Sequence, residues 1–252
     1  MDSKLELLKE FYRGLPKDRA KVETFEHGFS RLEQLLAGGA ALEYGEMSFP
    51  GLLHKFKLSN LPEARMDELM TTHLRKSCNL CLYFGDETNS LFCINLDNNH
   101  KTNNMVMIPE MELAVTLLRD ILTNLGCEPL VIASGRGYHL WCRLAAPIEN
   151  NRLYEVMLRS MAKALLGLHK NGFDHNKIKA NFYPDPRIRD TVSLRLFGSE
   201  HVKTKLFSRV LSRDSLLDES TSWHAFENHM RDKTVSLETF DAAYRALMAP
   251  SP

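Results

Sequence analysis

Apolar positions along this chain follow two rhythms. A three-to-four spacing marks amphipathic helices, and a strict alternation marks half-buried strands. Over residues 1–75 the helical rhythm prevails. Leu5, Leu8, Phe11 and Tyr12 share one helical face, and Leu32, Leu35 and Leu36 continue the spacing until Gly38-Gly39. Pro62 to Leu74 predicts a further helix. From Asn79 the alternation takes over. Asn79 to Phe84 and Leu91 to Asp97 read as strands around the polar turn GDETN. Pro109 to Leu125 is predicted helical, with Ala114, Leu117, Leu118, Ile121 and Leu125 on one face and Gly126 at the stop. Pro129 to Ser134 and Tyr138 to Leu144 read as strands joined by Gly-Arg-Gly. Asn151 to Leu168 is a helix ending near Gly172, and Thr191 to Phe197 is a last strand.

Read from Leu91, this order is β-α-β-β-α-β. It predicts an α+β fold with a split βαβ sheet, as in ferredoxin-like and RNA-recognition-type (RRM-like) folds. The division that follows is a helical part over 1–75 packing on the core, a core over 76–205, and a helical extension over 206–252 that includes Ser236 to Met248. The ending MAPSP reads as a linker into a longer protein.

Alternation also sorts side chains by face. Phe92, Ile94 and Leu96 point toward the helices, and Cys93, Asn95 and Asp97 point away. Tyr138, Leu140, Cys142 and Leu144 are expected inward, with His139, Trp141 and Arg143 on the open face. Val192, Leu194 and Leu196 go inward, and Ser193, Arg195 and Phe197 outward. One sheet face thus gathers a carboxylate, a histidine and an arginine in Asp97, His139 and Arg195, a combination suited to chemistry.

Composition narrows the setting. The 252 residues suffice for a sizeable core, and 44% apolar with 25% charged content is ordinary for a globular chain. No apolar run reaches membrane-spanning length, so no membrane partner is expected. Five cysteines at irregular spacing suit a reducing compartment, and the cytoplasm is the expected location. Net charge is zero, yet residues 170–209 hold nine Lys/Arg against four Asp/Glu. Such a strip can bind phosphates by counterion release, although on charge alone a solvated surface is the better reading.

Three segments carry the strongest signal: FCINLD, SGRGYHLW and SLRLFGSEHVKT, in that order and each at a strand end. Over roughly Leu74 to Lys205 they resemble the archaeo-eukaryotic primase (AEP) superfamily of small primase subunits and primase-polymerases. The resemblance implies a template-directed nucleotidyltransferase using two divalent metals, magnesium or manganese. It places Asn95, Asp97 and Asp185 at the metals, with Asp190 as second choice to Asp185. It puts Ser134, Gly135, Arg136, Gly137 and His139 at the nucleotide's phosphates, and Arg195, Ser199, His201 and Lys203 at nucleotide and template. NTPs or dNTPs, a single-stranded DNA template or primer-template, and a helicase or other domain of a longer protein are the implied partners. The chemistry agrees: phosphoryl transfer needs cations clamping oxygens, and glycines let backbone N–H groups approach phosphate.

One position departs from the family. Asn95 stands where aspartate is usual, which removes a negative charge from a site that concentrates dications. An engineered substitution, a binding relic and a site working with fewer carboxylates all remain open. The turn residues Asp185, Asp190 and Asp174 also fit a purely local capping role. Cys78-x-x-Cys81 with His73 nearby is half a zinc pattern, and residues three apart on a strand face opposite sides, so zinc is not expected. A binding module for single strands competes with the enzyme and would stack bases on Trp141 and Phe197. A rolling-circle-type nuclease would need a second histidine beside His139.

Overall fold

The computed structural model describes residues 2–25, 41–48, 53–85, 87–98, 108–188, 193–201, 205–213 and 215–249. Sequence expectations at Leu32, Leu35, Leu36, Gly38, Gly39, Asp190, Val192 and Lys203 lie outside the described residues, as do His100 and Lys101. Ten strands and six helices are present among the described residues. In chain order they are α1 (Asp2–Phe11), β1 (Ala20–Phe25), β2 (Ala41–Ser48), β3 (Leu53–Ser59), α2 (Glu63–Leu74), β4 (Asn79–Tyr83) and β5 (Thr88–Asn98). Then come α3 (Pro109–Asn124), β6 (Leu130–Ala133), β7 (Gly137–Glu149), α4 (Asn150–Lys170), β8 (Ile178–Tyr183), β9 (Ser193–Arg195), β10 (Arg209–Val210), α5 (Glu219–Asp232) and α6 (Leu237–Met248).

The strands form two five-stranded sheets, ordered β2-β3-β1-β4-β9 and β10-β6-β7-β5-β8. In the second sheet every neighbouring pair is antiparallel. Its segment β5-α3-β6-β7-α4-β8 is the split βαβ arrangement, with β7 and β5 at the centre. Two expectations are corrected. The fourth strand of this sheet is Ile178–Tyr183, with Ile178, Ala180 and Phe182 toward the helices and Lys179, Asn181 and Tyr183 on the other face; the 191–197 segment gives β9, which instead pairs with β4 in the first sheet. The N-terminal region is not wholly helical either. Between α1 and α2 it supplies β1, β2 and β3, three of the first sheet's five strands. AKVETF reads as neutral under a helical template; pairing with β3 and β4 decides its state.

Helix ends follow the sequence. Pro109 opens α3, with Glu110 and Glu112 in its positive first turn. Both long helices stop on a left-handed glycine, Gly126 at φ 77° and Gly172 at φ 76°. Each stop closes with a paired bond, Cys127 N–H to Leu122 O (2.8 Å) and Phe173 N–H to Leu168 O (3.1 Å).

Two cores result. One lies between the second sheet and α3, α4 and α6, and joins Phe92, Ile94, Leu96, Leu140, Leu118, Met157 and Phe240. The other joins α1, α2, the first sheet, Trp141 of the second sheet, and Trp223 and Phe226 of α5. Residues from the N-terminal part, the centre and the C-terminal extension all enter this second core. No helix of the described residues is long and apolar enough to cross a membrane.

Candidate nucleotide-binding cleft

Register assigns the faces. Asn95 lies opposite His139 on one side and Asn181 on the other, and Asp97 lies opposite Gly137 and Lys179. Directly opposed residues in a sheet share a face. The second sheet therefore presents Asn95, Asp97, His139, Asn181 and Lys179 together, on the side away from α3 and α4. The first sheet turns Lys21, Cys81 and Arg195 toward it, three residues side by side in register. Lys21 and Ser193 of the first sheet line one opening together with Asn181 and Tyr183 of the second, so the two faces meet across a cleft. Asp97 and His139 share a face of the second sheet, whereas Arg195 stands on the first. About 360 Å³ of this cleft opens at its β8 side, between Lys21, Asn181, Tyr183, Asp185 and Ser193.

The face expected to be open is in fact covered. His139 is 5% exposed and Asn95 8%. Trp141 is stacked on Phe84 and packed edge-on to Phe11 and Tyr12, and Phe197 is stacked on Phe226. Neither aromatic can receive a base, which removes the stacking platforms of the single-strand module. The reason is tertiary: alternation shows that a side chain leaves one core, but not that a second core awaits it.

Burial, with the nearby Arg195 charge adding to it, pushes the His139 imidazole down to about 3. It is neutral at any physiological pH and offers one donor and one acceptor. Burial likewise pushes the Tyr183 phenol up to about 12. Asn95 turns its Nδ2 toward Asp97 Oδ2 at 3.3 Å, and its buried Oδ1 has no hydrogen-bond partner. Arg136 Nη2 lies 3.9 Å from Asp97 Oδ1.

The glycine turn is a tight hairpin. Ser134 N–H donates to Gly137 O at 2.9 Å, and Gly135 sits at φ 105°. The Ser134 hydroxyl also donates to Gly137 O (3.2 Å), so it is spent inside the turn. Gly137 is required for a further reason. A Cβ there would lie 1.8 Å from the Leu96 carbonyl oxygen, so β7 can approach β5 this closely only with glycine.

Asp185 lines the cleft mouth, with both carboxylate oxygens held by Arg187: Nε to Oδ1 at 2.9 Å and Nη2 to Oδ2 at 2.7 Å. That pairing holds its carboxyl below the usual range. It also accepts from Arg187 N–H, capping the turn. Asp174 caps its own turn through Asn176 N–H.

The segment after β9 is pinned by residues that the sequence pattern did not single out for this task. Phe197 N–H donates to Tyr12 Oη (3.1 Å), and its carbonyl pairs with His73 Nε2 (2.9 Å). Leu80 N–H donates to His73 Nδ1, so Nε2 carries the proton and both ring nitrogens are engaged by backbone. Asn79 grips Glu200 twice, Nδ2 to its carbonyl (2.6 Å) and Oδ1 from its N–H (3.1 Å). Ser199 and His201 are buried in the resulting loop, closed by His201 N–H to Leu206 O at 2.8 Å. His73 and Asn79 precede or open β4, so a contact more than a hundred residues away left no local signal.

The donor set can be tested against a pair of divalent cations. Such a pair needs several carboxylates, and unit charges 4 Å apart still interact by about 4 kcal/mol at an effective dielectric of 20. On the second sheet's face, among the described residues, Asp97 is the one carboxylate, joined by the neutral Asn95 and Asn181. Lys21, Arg136, Lys179, Arg187 and Arg195 face or flank the cleft against Glu23, Asp97 and Asp185. Among the described residues, five cations against three carboxylates do not fit two dications.

No protein-family model matches the chain, and no curated protein matches it. Two solved polymerase domains are similar to it. One is the polymerase domain of Mycobacterium tuberculosis Ligase D in complex with DNA, at 13% identity and a TM-score of 0.49, covering 98% of this chain and 92% of that chain. The other is the AEP domain of the cyanophage S-2L primase-polymerase, at 11% identity and a TM-score of 0.40, covering 90% of this chain and 97% of that chain. No residue role in this chain is taken from either.

Proposed function

We propose that this chain is a nucleotide-binding protein with a site of the archaeo-eukaryotic primase type, in which template-directed nucleotidyl transfer is held low by Asn95. The observation that supports this reading is an open-ended cleft between the sheets, with Asn95, Asp97 and His139 on the second sheet's face and Lys21 and Arg195 in register on the first. A nucleoside triphosphate enters at the β8 mouth. Arg195 and Lys179 meet its phosphate charge. His139, neutral and buried, donates one hydrogen bond to a phosphate oxygen and needs no proton from solvent to do so. Arg136, at the tip of the hairpin, reaches the same charge or the backbone of a single-stranded DNA template. The loop at Ser199 and His201, clamped by Asn79 and His73, forms the template side.

Transfer itself asks for cations that clamp the attacking and leaving oxygens. Asp97 and the Asn95 oxygen alone hold such cations poorly. The proposal thus joins an intact binding surface to a depleted reaction centre, in a protein working in the cytoplasm.

Incorporation on primed and unprimed single-stranded DNA, with magnesium or manganese, tests it. Wild type is compared with Asn95→Asp and with Asn95→Asp/Asn181→Asp. Rising incorporation along that series is expected. Robust synthesis by wild type, unchanged in the variants, would refute the depleted centre. No synthesis by any form, together with no nucleotide binding, would remove the reading altogether.

A further inference from the structure

The misfit between this cleft and a pair of dications has a consequence for how a nucleotide is held. In a metal-dependent site, the cations neutralise the triphosphate and carboxylates hold the cations. Here the charges are arranged the other way round. Three of the five cations are matched by carboxylates: Lys21 with Glu23 (3.5 Å), Arg136 with Asp97 (3.9 Å) and Arg187 with Asp185 (2.7 Å). That leaves an excess of two positive charges, at Lys179 on the second sheet and Arg195 on the first.

These two sit on opposite walls. Lys179 is exposed and lies opposite Asp97 in register; Arg195 lies beside Cys81 and reaches His139 electrostatically. Between them are groups that can donate without charge, the Asn181 amide and the His139 ring, whereas the Asn95 Nδ2 is already turned to Asp97. A polyanion lying along this strip meets two charge-assisted contacts and several neutral ones. Among the described residues, a dication brought to the same strip meets one carboxylate, already facing Arg136, and two opposing cations.

We infer that this cleft binds the triphosphate of a nucleotide directly through its own side chains, without divalent metal. This rests on the reading of the cleft as a nucleotide site. It goes beyond that reading by assigning the phosphate's counter-charge to Lys179 and Arg195, with the Asn181 amide and the His139 ring donating between them. A charge on Asn95 would then work against the ligand. Asn95→Asp adds a carboxylate next to Asp97, so the variant needs a cation to hold the same phosphates.

Calorimetric titration of the full chain with dATP, in excess EDTA and separately in magnesium, tests this. For wild type we expect dissociation constants within about threefold of each other in the two buffers. Lys179→Gln and Arg195→Ala each weaken the EDTA affinity by roughly tenfold, the loss of one charge-assisted contact. Lys179 is exposed, so its variant reports on binding even if Arg195→Ala folds poorly. Asn95→Asp binds weakly in EDTA and recovers in magnesium. Inorganic tripolyphosphate, competing in EDTA, separates recognition of the phosphates from recognition of the base. If wild-type binding collapses in EDTA and returns with magnesium, the metal-free site is wrong while the nucleotide site stands. If dATP binds in neither buffer, the nucleotide reading itself fails.

Discussion

The two faces of strands β5 and β7 make opposite use of the same backbone. Toward α3 and α4 they present Phe92, Ile94, Leu96, Tyr138, Leu140 and Cys142, an unbroken apolar surface buried to 2% exposure or less. Toward the first sheet they present Cys93, Asn95, Asp97, His139 and Trp141. Apolar residues close that face at one end, and polar residues gather toward the mouth. One residue of register separates a face that holds the fold together from a face that can do chemistry. Because the helix-side face carries the stability, the cleft face can keep an unpaired amide oxygen and a buried neutral histidine. Such groups cost stability, and the packing behind them offsets that cost.

This contrast can be broken most forcefully from the helix side. Leu140→Ala, at a position with no exposed surface, is expected to destabilise the fold by about 2–5 kcal/mol. The next residue, His139, faces the cleft, and His139→Gln should cost far less. Urea denaturation of both variants measures the gap; equal losses would mean that the two faces are not separate in their energetics.

Acid sharpens the comparison at the cleft. The folded His139 titrates near 3, against about 6.5 for an ordinary imidazole. Between those values the unfolded chain takes up the proton and the folded chain does not. Stability is therefore full above about 6.5 and is lost as the pH falls toward 3, by an amount on the order of a few kcal/mol. His139→Gln should flatten that acid limb without abolishing it, because His229, brought down to about 4 by burial, acts in the same direction. An unchanged limb in His139→Gln would place the ring in water.

A smaller effect is expected where the first sheet grips the loop after β9. Asn79→Ala removes both bonds to Glu200 and should cost about 1–3 kcal/mol. Hydrogen exchange should show the loss concentrated at residues 199–201 and 205–207. Protection lost evenly over both sheets would contradict a local clamp. Smallest of all, Lys179→Gln should leave stability within about 0.5 kcal/mol, as an exposed position does. Its effect belongs to phosphate binding alone.

Much of this was legible in the chain. Alternation in FCINLD and YHLWCRL fixed which side chains share a face, because a strand's period is a local property. Gly126 and Gly172 marked helix stops, because only a residue without a Cβ takes a left-handed turn without strain. The β-α-β-β-α-β order specified the central sheet. Tertiary structure alone decided the rest. It made AKVETF a strand by offering it partners on both sides. It took the 193–195 strand out of the sheet where the order had placed it and gave its position to IKANFY. It also turned an open face into a cleft by laying a second sheet across it, and it packed Trp141 against α1 and Phe197 against α5. Periodicity says only that a residue leaves one surface; which surface it meets depends on contacts distant in sequence. Asn181 shows the difference most plainly, an unremarked amide in the sequence that pairing with β5 sets directly beside Asn95.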